Sequence, residues 1–494
     1  MERARHLVLP LFVILGLAGC DGEPDRGGHE DLGLGAADRG AQTDSGGPTR
    51  DDGTYQSDGP SQGDGRYQGD GSPQGDGPSR SQDGSASTTP DASAAIDAKG
   101  SVSNELPAAS KVINVSTDAQ LQSVVKSAKP GDHIVLADGK YATRLTIDRQ
   151  GTAAAPIVIR AKNLLKAHLA QGFDLTPASR HIWIYGVDLK DSSSALRGED
   201  HVLRRVRIWP PFNDGKGSTG VKPSYGKNAR IDYCEIRLYT TDEVKKTYGK
   251  VWDNNTSYGG VQYYYRNWGQ YVGDFFDNLV IERCLLTGGP HDVAYAAPNS
   301  QFIETSGTDQ SGTGHDINWV VRDVYGDVKR DRTLIDFKYR SLNLVRVHIK
   351  SPGGAVQVRS AGSHSVRESR FDGAAITINA ANNTIENTHA TAIKVLAGDL
   401  AWDDYSNFGA HRQAYNAKLY NTSGKLTIGY QFSSGGPYSF PALNTLSEGH
   451  QGTVAYGNHK NTTVKKTSSV AKKTPVTLDA SVVGPLAPWV GVGP

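Results

Sequence analysis

Asn343-Leu-Val-Arg-Val-His-Ile349, His364-Ser-Val-Arg-Glu-Ser-Arg-Phe371 and Asn383-Thr-Ile-Glu-Asn-Thr-His389 are three versions of one short pattern. Aligned on Val345, Val366 and Ile385, they recur at intervals of 21 and 19 residues, with no helical period between them. Short β-branched runs at a spacing near 20 residues mark a solenoid in which each turn lays a strand on the one before. Similar runs extend in both directions: His133–Ala137, Leu145–Ile147, Ile157–Arg160, His181–Tyr185, Val202–Ile208, Ala229–Ile236, Leu279–Leu286, Trp319–Val324, Val356–Val358, Ile376–Ile378 and Lys418–Tyr420. Gly, Asn and Asp punctuate them. The expected fold is all-β, a right-handed parallel β-helix, in preference to a β-sandwich or a propeller. Upstream, Ser116–Ala128 reads as one short helix, with Ser116 and Thr117 as caps and Leu121, Val124 and Val125 as its apolar stripe. Such a helix suits the open first coil, whose edge needs a cover.

The N-terminal fifth is different in kind. Arg3 and Arg5 precede an apolar run from Leu7 to Leu17, which ends in Leu17-Ala-Gly-Cys20, the layout of an export signal. This end resembles the lipobox of bacterial lipoproteins, and the resemblance implies lipidation at Cys20. The expected localisation is the cell envelope, with the membrane reached through an N-terminal lipid. From Asp21 to about residue 105, Gly, Asp, Ser, Gln and Pro dominate, and the only aliphatic residues larger than alanine before Gly100 are Leu32, Leu34 and Ile96. Such a segment buries too little apolar surface to offset its chain entropy, so it reads as a flexible tether. The expected division is a signal over 1–20, a tether over 21–105 and one β-helix domain over 106–494. A net charge of +1 gives no reason to expect a nucleic-acid partner, and the chain is expected to be a monomer. Beyond Cys20, Cys234 and Cys284 remain, either as a disulfide or as two buried residues on stacked strands, with the buried reading favoured.

Four stretches carry a wider resemblance. They are Val115-Ser-Thr-Asp-Ala-Gln-Leu-Gln122, Pro130-Gly-Asp-His-Ile-Val-Leu-Ala-Asp-Gly-Lys-Tyr141, Gly151-Thr-Ala-Ala-Ala-Pro-Ile-Val-Ile-Arg-Ala161 and His181-Ile-Trp-Ile-Tyr-Gly-Val-Asp-Leu189. Together they resemble the opening of polysaccharide lyase family six, the chondroitinase B and alginate lyase family. The likeness reaches to around residue 390, with an insertion between about 237 and 276. It implies β-elimination on a uronic-acid polysaccharide, with alginate the expected substrate and chondroitin or dermatan the alternative. A non-catalytic, carbohydrate-binding or structural β-helix is the reading from another class.

The resemblance implies a lysine base and an arginine on adjacent turns, and Lys338 and Arg359, 21 residues apart, meet that spacing. With Ile335, Phe337, Val356 and Val358 inward, alternation turns Asp336, Lys338, Gln357 and Arg359 outward. A shifted alignment puts Tyr339 at the base position and leaves Arg340 to neutralise the sugar carboxylate. Tyr264 and Trp268, in an aromatic-rich insertion, are candidate sugar-stacking residues. The family's calcium site maps onto Asp331 and Thr333, which retains one carboxylate, and Glu304 is a further candidate ligand for Ca2+.

Overall fold

The computed structural model describes residues 105–212, 218–250, 258–264, 275–289, 300–306, 316–328, 333–337, 340–360, 363–396, 414–430 and 441–490. The signal, most of the tether and Cys20 lie outside them. Every strand pairing among the described residues is parallel. Each coil contributes strands to three faces, and the fold is a parallel β-helix. The first face is a fourteen-stranded sheet running from Lys111–Val115 to Thr463–Lys465. The second holds short strands such as Asp188–Lys190, Arg207–Trp209, Glu235–Leu238 and His348–Lys350. The third holds Ser218–Lys227, Tyr258–Tyr264, Ser300–Ser306, Thr333–Phe337, Ala355–Ser360, the later part of Arg370–Ala380, His389–Leu396 and Ser423–Tyr430. The helix is Asp118–Ser127, capped by the Thr117 side chain, and it buries Leu121 and Val125 at the first coil.

Burial of one aliphatic column per face sets the register. Leu344, Val366, Ile385 and Leu419 are successive partners on the first face, and all are buried. The sequence alignment on Val345 was therefore one residue out, because Val345 pairs with Arg367 and is only half-buried. A one-residue slip would turn Leu344 out of the core, so packing decides the register.

The central residue of each repeat makes the corner between the first and second faces. Arg205, Tyr233, Arg283, Asp323, Arg346, Glu368 and Asn387 all have φ between +48° and +56°. Side chains rarely adopt that region without support. Here the support is a hydrogen-bond ladder that continues round the bend. Each corner N–H donates to a carbonyl on the next coil: Arg283 to Arg322, Asp323 to Val345, Arg346 to Arg367 and Glu368 to Glu386. The turn costs no ladder bond, so one residue suffices and the coil stays short.

Two further features depart from the sequence reading. Thr241–Tyr248 is a second helix, closed by a Thr240–Glu243 capping box and by Gly249 at φ 64°. The solenoid also stops at Lys465, and residues beyond it are not coils. They run back along the first-to-second corner. Ser469 donates to Glu448, the Val476 N–H to Glu368 O and the Gly484 N–H to Arg283 O. The strap ends where Arg205 donates to the carbonyls of Pro485 and Ala487. Arg205 also pairs with Glu105, and Arg204 donates to the Glu105 carbonyl and, with a two-pronged fork, to Asp232. The two ends of the folded unit are thus fastened to one arginine pair. Cys234 and Cys284 are both free and buried, as favoured.

His201 is fully buried. Its Nδ1 accepts from the Ile182 N–H, and its Nε2 lies 3.2 Å from Ser179 Oγ. Burial pushes its pKa down to about 4. The unfolded chain takes up this proton near pH 6.5 and the folded one does not, so the fold loses stability as pH falls from about 6.5 towards 4. The full loss from this group is about 3 kcal/mol. Urea unfolding at pH 7 and pH 4.5 should show that drop, and His201→Gln should reduce it. An equal drop in the variant would contradict the assignment.

Candidate functional site

The third face differs from the other two in what flanks it. Its strands are bordered by long connections, including residues 239–257, 265–275, 289–299 and 307–315, whereas single residues turn the first corner. A parallel sheet between long chain segments is the place on a solenoid for a long, thin ligand.

On this face a polar column crosses successive coils. Gln262 pairs with Glu304, Glu304 with Asp336, Asp336 with Gln357, and Gln357 with Thr377. Thr219 Oγ1 donates to Gln262 Oε1 at 2.9 Å, and Gln262 Nε2 donates to Glu304 Oε2 at 2.6 Å. Alternation led to the expectation that Asp336 faces outward. It and Glu304 are nevertheless only 0% and 1% exposed, so the two carboxylates sit on adjacent coils beneath a covered floor. Adjacent buried carboxylates demand compensating positive charge or a shared proton.

The strand segments that lead to the expected catalytic residues adjoin this pair. Asp336 pairs with Gln357 and Phe337 with Val358, so the segment that leads into Lys338 lies beside the one that leads into Arg359. Arg359 itself pairs with Asn379 on the following coil. Lys338, Tyr339, Asp331 and Trp268 lie outside the described residues. For Arg340, Arg359 and Tyr264 the strand position is described and the side chain is not. Gln262 and Thr377 were absent from the sequence-based site, whereas Gln357 had been placed beside Asp336. Their signal was available, since each stands two residues before another outward position on its own strand.

The floor rests on Trp319. This residue is fully buried, its Nε1 donates to Phe276 O at 2.7 Å, and its ring meets Phe337 and Tyr263 edge-on at 5.6 and 6.4 Å. It joins the strand of the first face to the third-face residue next to Asp336. Trp319→Ala should cost about 3–5 kcal/mol, read as a lowered urea midpoint. Trp319→Phe should cost less, because an aromatic ring stays in the core while the Nε1 hydrogen bond and part of the indole volume are lost.

Calcium takes several oxygen ligands. Glu304 and Asp336 are of the right chemistry, but no group of three or more His, Cys, Asp or Glu residues able to hold a metal occurs among the described residues. Asp331, the other expected ligand, lies outside the described residues.

Residues 115–196 match the family model described as Chondroitinase B. The opening coils carry the chondroitinase B family pattern. The chondroitinase B match ends before the polar column, so it fixes the start of the solenoid and leaves the site to geometry. No curated protein matches the chain. Among solved structures, the chain is similar to a mannuronic acid specific polysaccharide family 6 lyase from human gut microbiota. The identity is 15%, over 70% of this chain and 81% of that one, with a TM-score of 0.53. It is similar to a PL6 family polysaccharide lyase from Pseudopedobacter saltans at 13% identity, over 75% and 98% of the two chains, with a TM-score of 0.56. It also resembles the PL6 family alginate lyase AlyGC at 16% identity, over 72% of this chain and 51% of that one, with a TM-score of 0.55. These likenesses establish the fold.

Proposed function

We propose that this protein is a polysaccharide lyase that cleaves a uronic-acid polymer, alginate first among them, by β-elimination. The observation that carries this reading is the third-face column. There the approaches to Lys338 and Arg359 lie side by side in register, next to the buried Glu304 and Asp336. The match to the chondroitinase B model and the likeness to PL6 lyases support it.

The chemistry makes three demands. A base must take the C5 proton, the enolate that develops on the sugar carboxyl must be stabilised, and the departing O4 must receive a proton. The electron pair from C5–H becomes the C4=C5 double bond as C4–O4 breaks. Lys338, or Tyr339 in its place, is the base. It must lose its own proton first, and neighbouring arginines favour that loss. Arg359 holds the developing charge near the leaving oxygen, and Arg340, the first residue of the next first-face strand, is the candidate to neutralise the carboxylate. Gln262 donates to Glu304, which pairs with Asp336 on the next coil, so two buried carboxylates lie beside the approaches to these cations. A lipid on Cys20 and the tether then display the enzyme at the cell envelope. The name of the family model favours a second substrate reading, chondroitin or dermatan.

The test is a panel of polymannuronate, polyguluronate, alginate, dermatan and pectate, followed by the ultraviolet absorbance of unsaturated uronates, with and without chelator. A rise on alginate blocks is expected. No rise on any polymer would end the lyase reading and leave a binding role. Loss of activity with chelator, restored by calcium, would give the neutralising role to a metal held by Asp331 and Glu304.

A further inference from the structure

The charge of this chain is unevenly placed. Residues 414–478 hold seven lysines and one acidic residue, a net charge of +6, while the whole chain carries +1. The acid is Glu448, which is occupied by Lys465 at 2.8 Å and by Ser469. Lys418, Lys425 and Lys460 are exposed, with no acidic partner among the described residues. All three lie on the last coils. Lys425 is on the third face, Lys460 is in the two-stranded sheet of Ala442–Leu443 and His459–Lys460, and Lys418 begins a strand of the first face.

An aromatic pair accompanies them. Val358, Ile378, Val395, Ile428 and Tyr456 are successive partners in one column of the third face. The first four are buried, whereas Tyr456 is 55% exposed and its ring lies 5.1 Å from that of His459. Tyr456 continues this core-facing column at the open last coil, four strand spacings, roughly 19 Å, from Val358. Exposed cations on the last coils, with an aromatic left uncovered where the solenoid ends, match a polymer of carboxylated sugars, since lysines take carboxylates and a ring can take a sugar's C–H face.

We infer that the C-terminal coils are a second binding surface for the anionic polysaccharide, which holds the polymer that is threaded along the third face. This inference rests on the proposed lyase reading for the identity of the polyanion. A long chain then gains affinity from two sites at once, and a short oligomer does not.

The test compares the full chain with K418Q/K425Q/K460Q and, separately, Tyr456→Ala, in native gels that contain polymannuronate or neutral dextran. The wild type should be retarded by polymannuronate alone, with a retardation that weakens as salt rises. The triple variant should bind about tenfold more weakly, because three exposed ion pairs are lost. Its KM for polymer should rise while turnover of a tetrasaccharide is unchanged, and its melting temperature should match the wild type. Equal retardation of wild type and variants would overturn the inference. So would lysine-dependent sedimentation with phosphatidylglycerol vesicles without retardation in polymannuronate, which would assign the surface to lipid headgroups. Lysine-dependent retardation with no unsaturated product from any polymer would overturn the lyase reading and leave this surface standing.

Discussion

Replacement of Arg359 by alanine should lower kcat/KM on the preferred uronate polymer by ~10²- to 10³-fold, with most of the loss in kcat. The reason is positional. Arg359 sits one residue beyond Val358, which is in register with Phe337, and it pairs with Asn379 on the next coil. A cation there acts on charge that exists only in the transition state, so substrate affinity should change little. Arg359→Lys should recover part of the rate, because a point charge remains while the two-pronged geometry is lost. Initial rates by ultraviolet absorbance at saturating and limiting polymer separate kcat from KM. A variant with full activity would remove Arg359 from the site.

The second large effect lies far from the chemistry. Arg205→Ala should destabilise the folded unit by about 3–5 kcal/mol. Arg205 pairs with Glu105, donates to Pro485 and Ala487, and lies over the Tyr233 ring at 5.2 Å. Its removal leaves the Glu105 carboxylate, with only 6% of its side chain exposed, without its cation, and frees the end of the C-terminal strap. The expected readout is a lowered urea midpoint and faster proteolysis after Lys465, with kcat on short oligomers unchanged. A variant as stable as the wild type would show that the strap contributes nothing to the fold.

How much of this was legible in the sequence follows from what repeats. The solenoid was readable because each coil must bury an aliphatic residue in the same column, and Val366 and Ile385 announce that column. The first repeat misled by one position, since Leu344 and Val345 are equally apolar and only packing separates them. The corner explains why Arg346, Glu368 and Asn387 sit at equivalent places despite having no chemistry in common: each needs only a polar side chain and a left-handed backbone. The strap was not legible, because a segment without period leaves no trace until Arg205 and Glu368 are seen to hold it. The second helix had a signal in Thr240 and Glu243, masked by the aromatic texture of the insertion. At the site, alternation placed Asp336 and Gln357 in neighbouring positions correctly. It could not tell that Asp336 is buried, because burial there depends on segments remote in sequence. Lys338 lies one residue past the strand Thr333–Phe337, where alternation no longer speaks.

The central claim is that the polymer is cut by elimination. Digestion of the preferred uronate polymer in heavy-oxygen water, followed by mass spectrometry of the products, tests it directly. The predicted result is new non-reducing ends that are one water lighter than a hydrolytic end, ultraviolet-absorbing, with no solvent oxygen incorporated on cleavage. Saturated ends that carry solvent oxygen would contradict it.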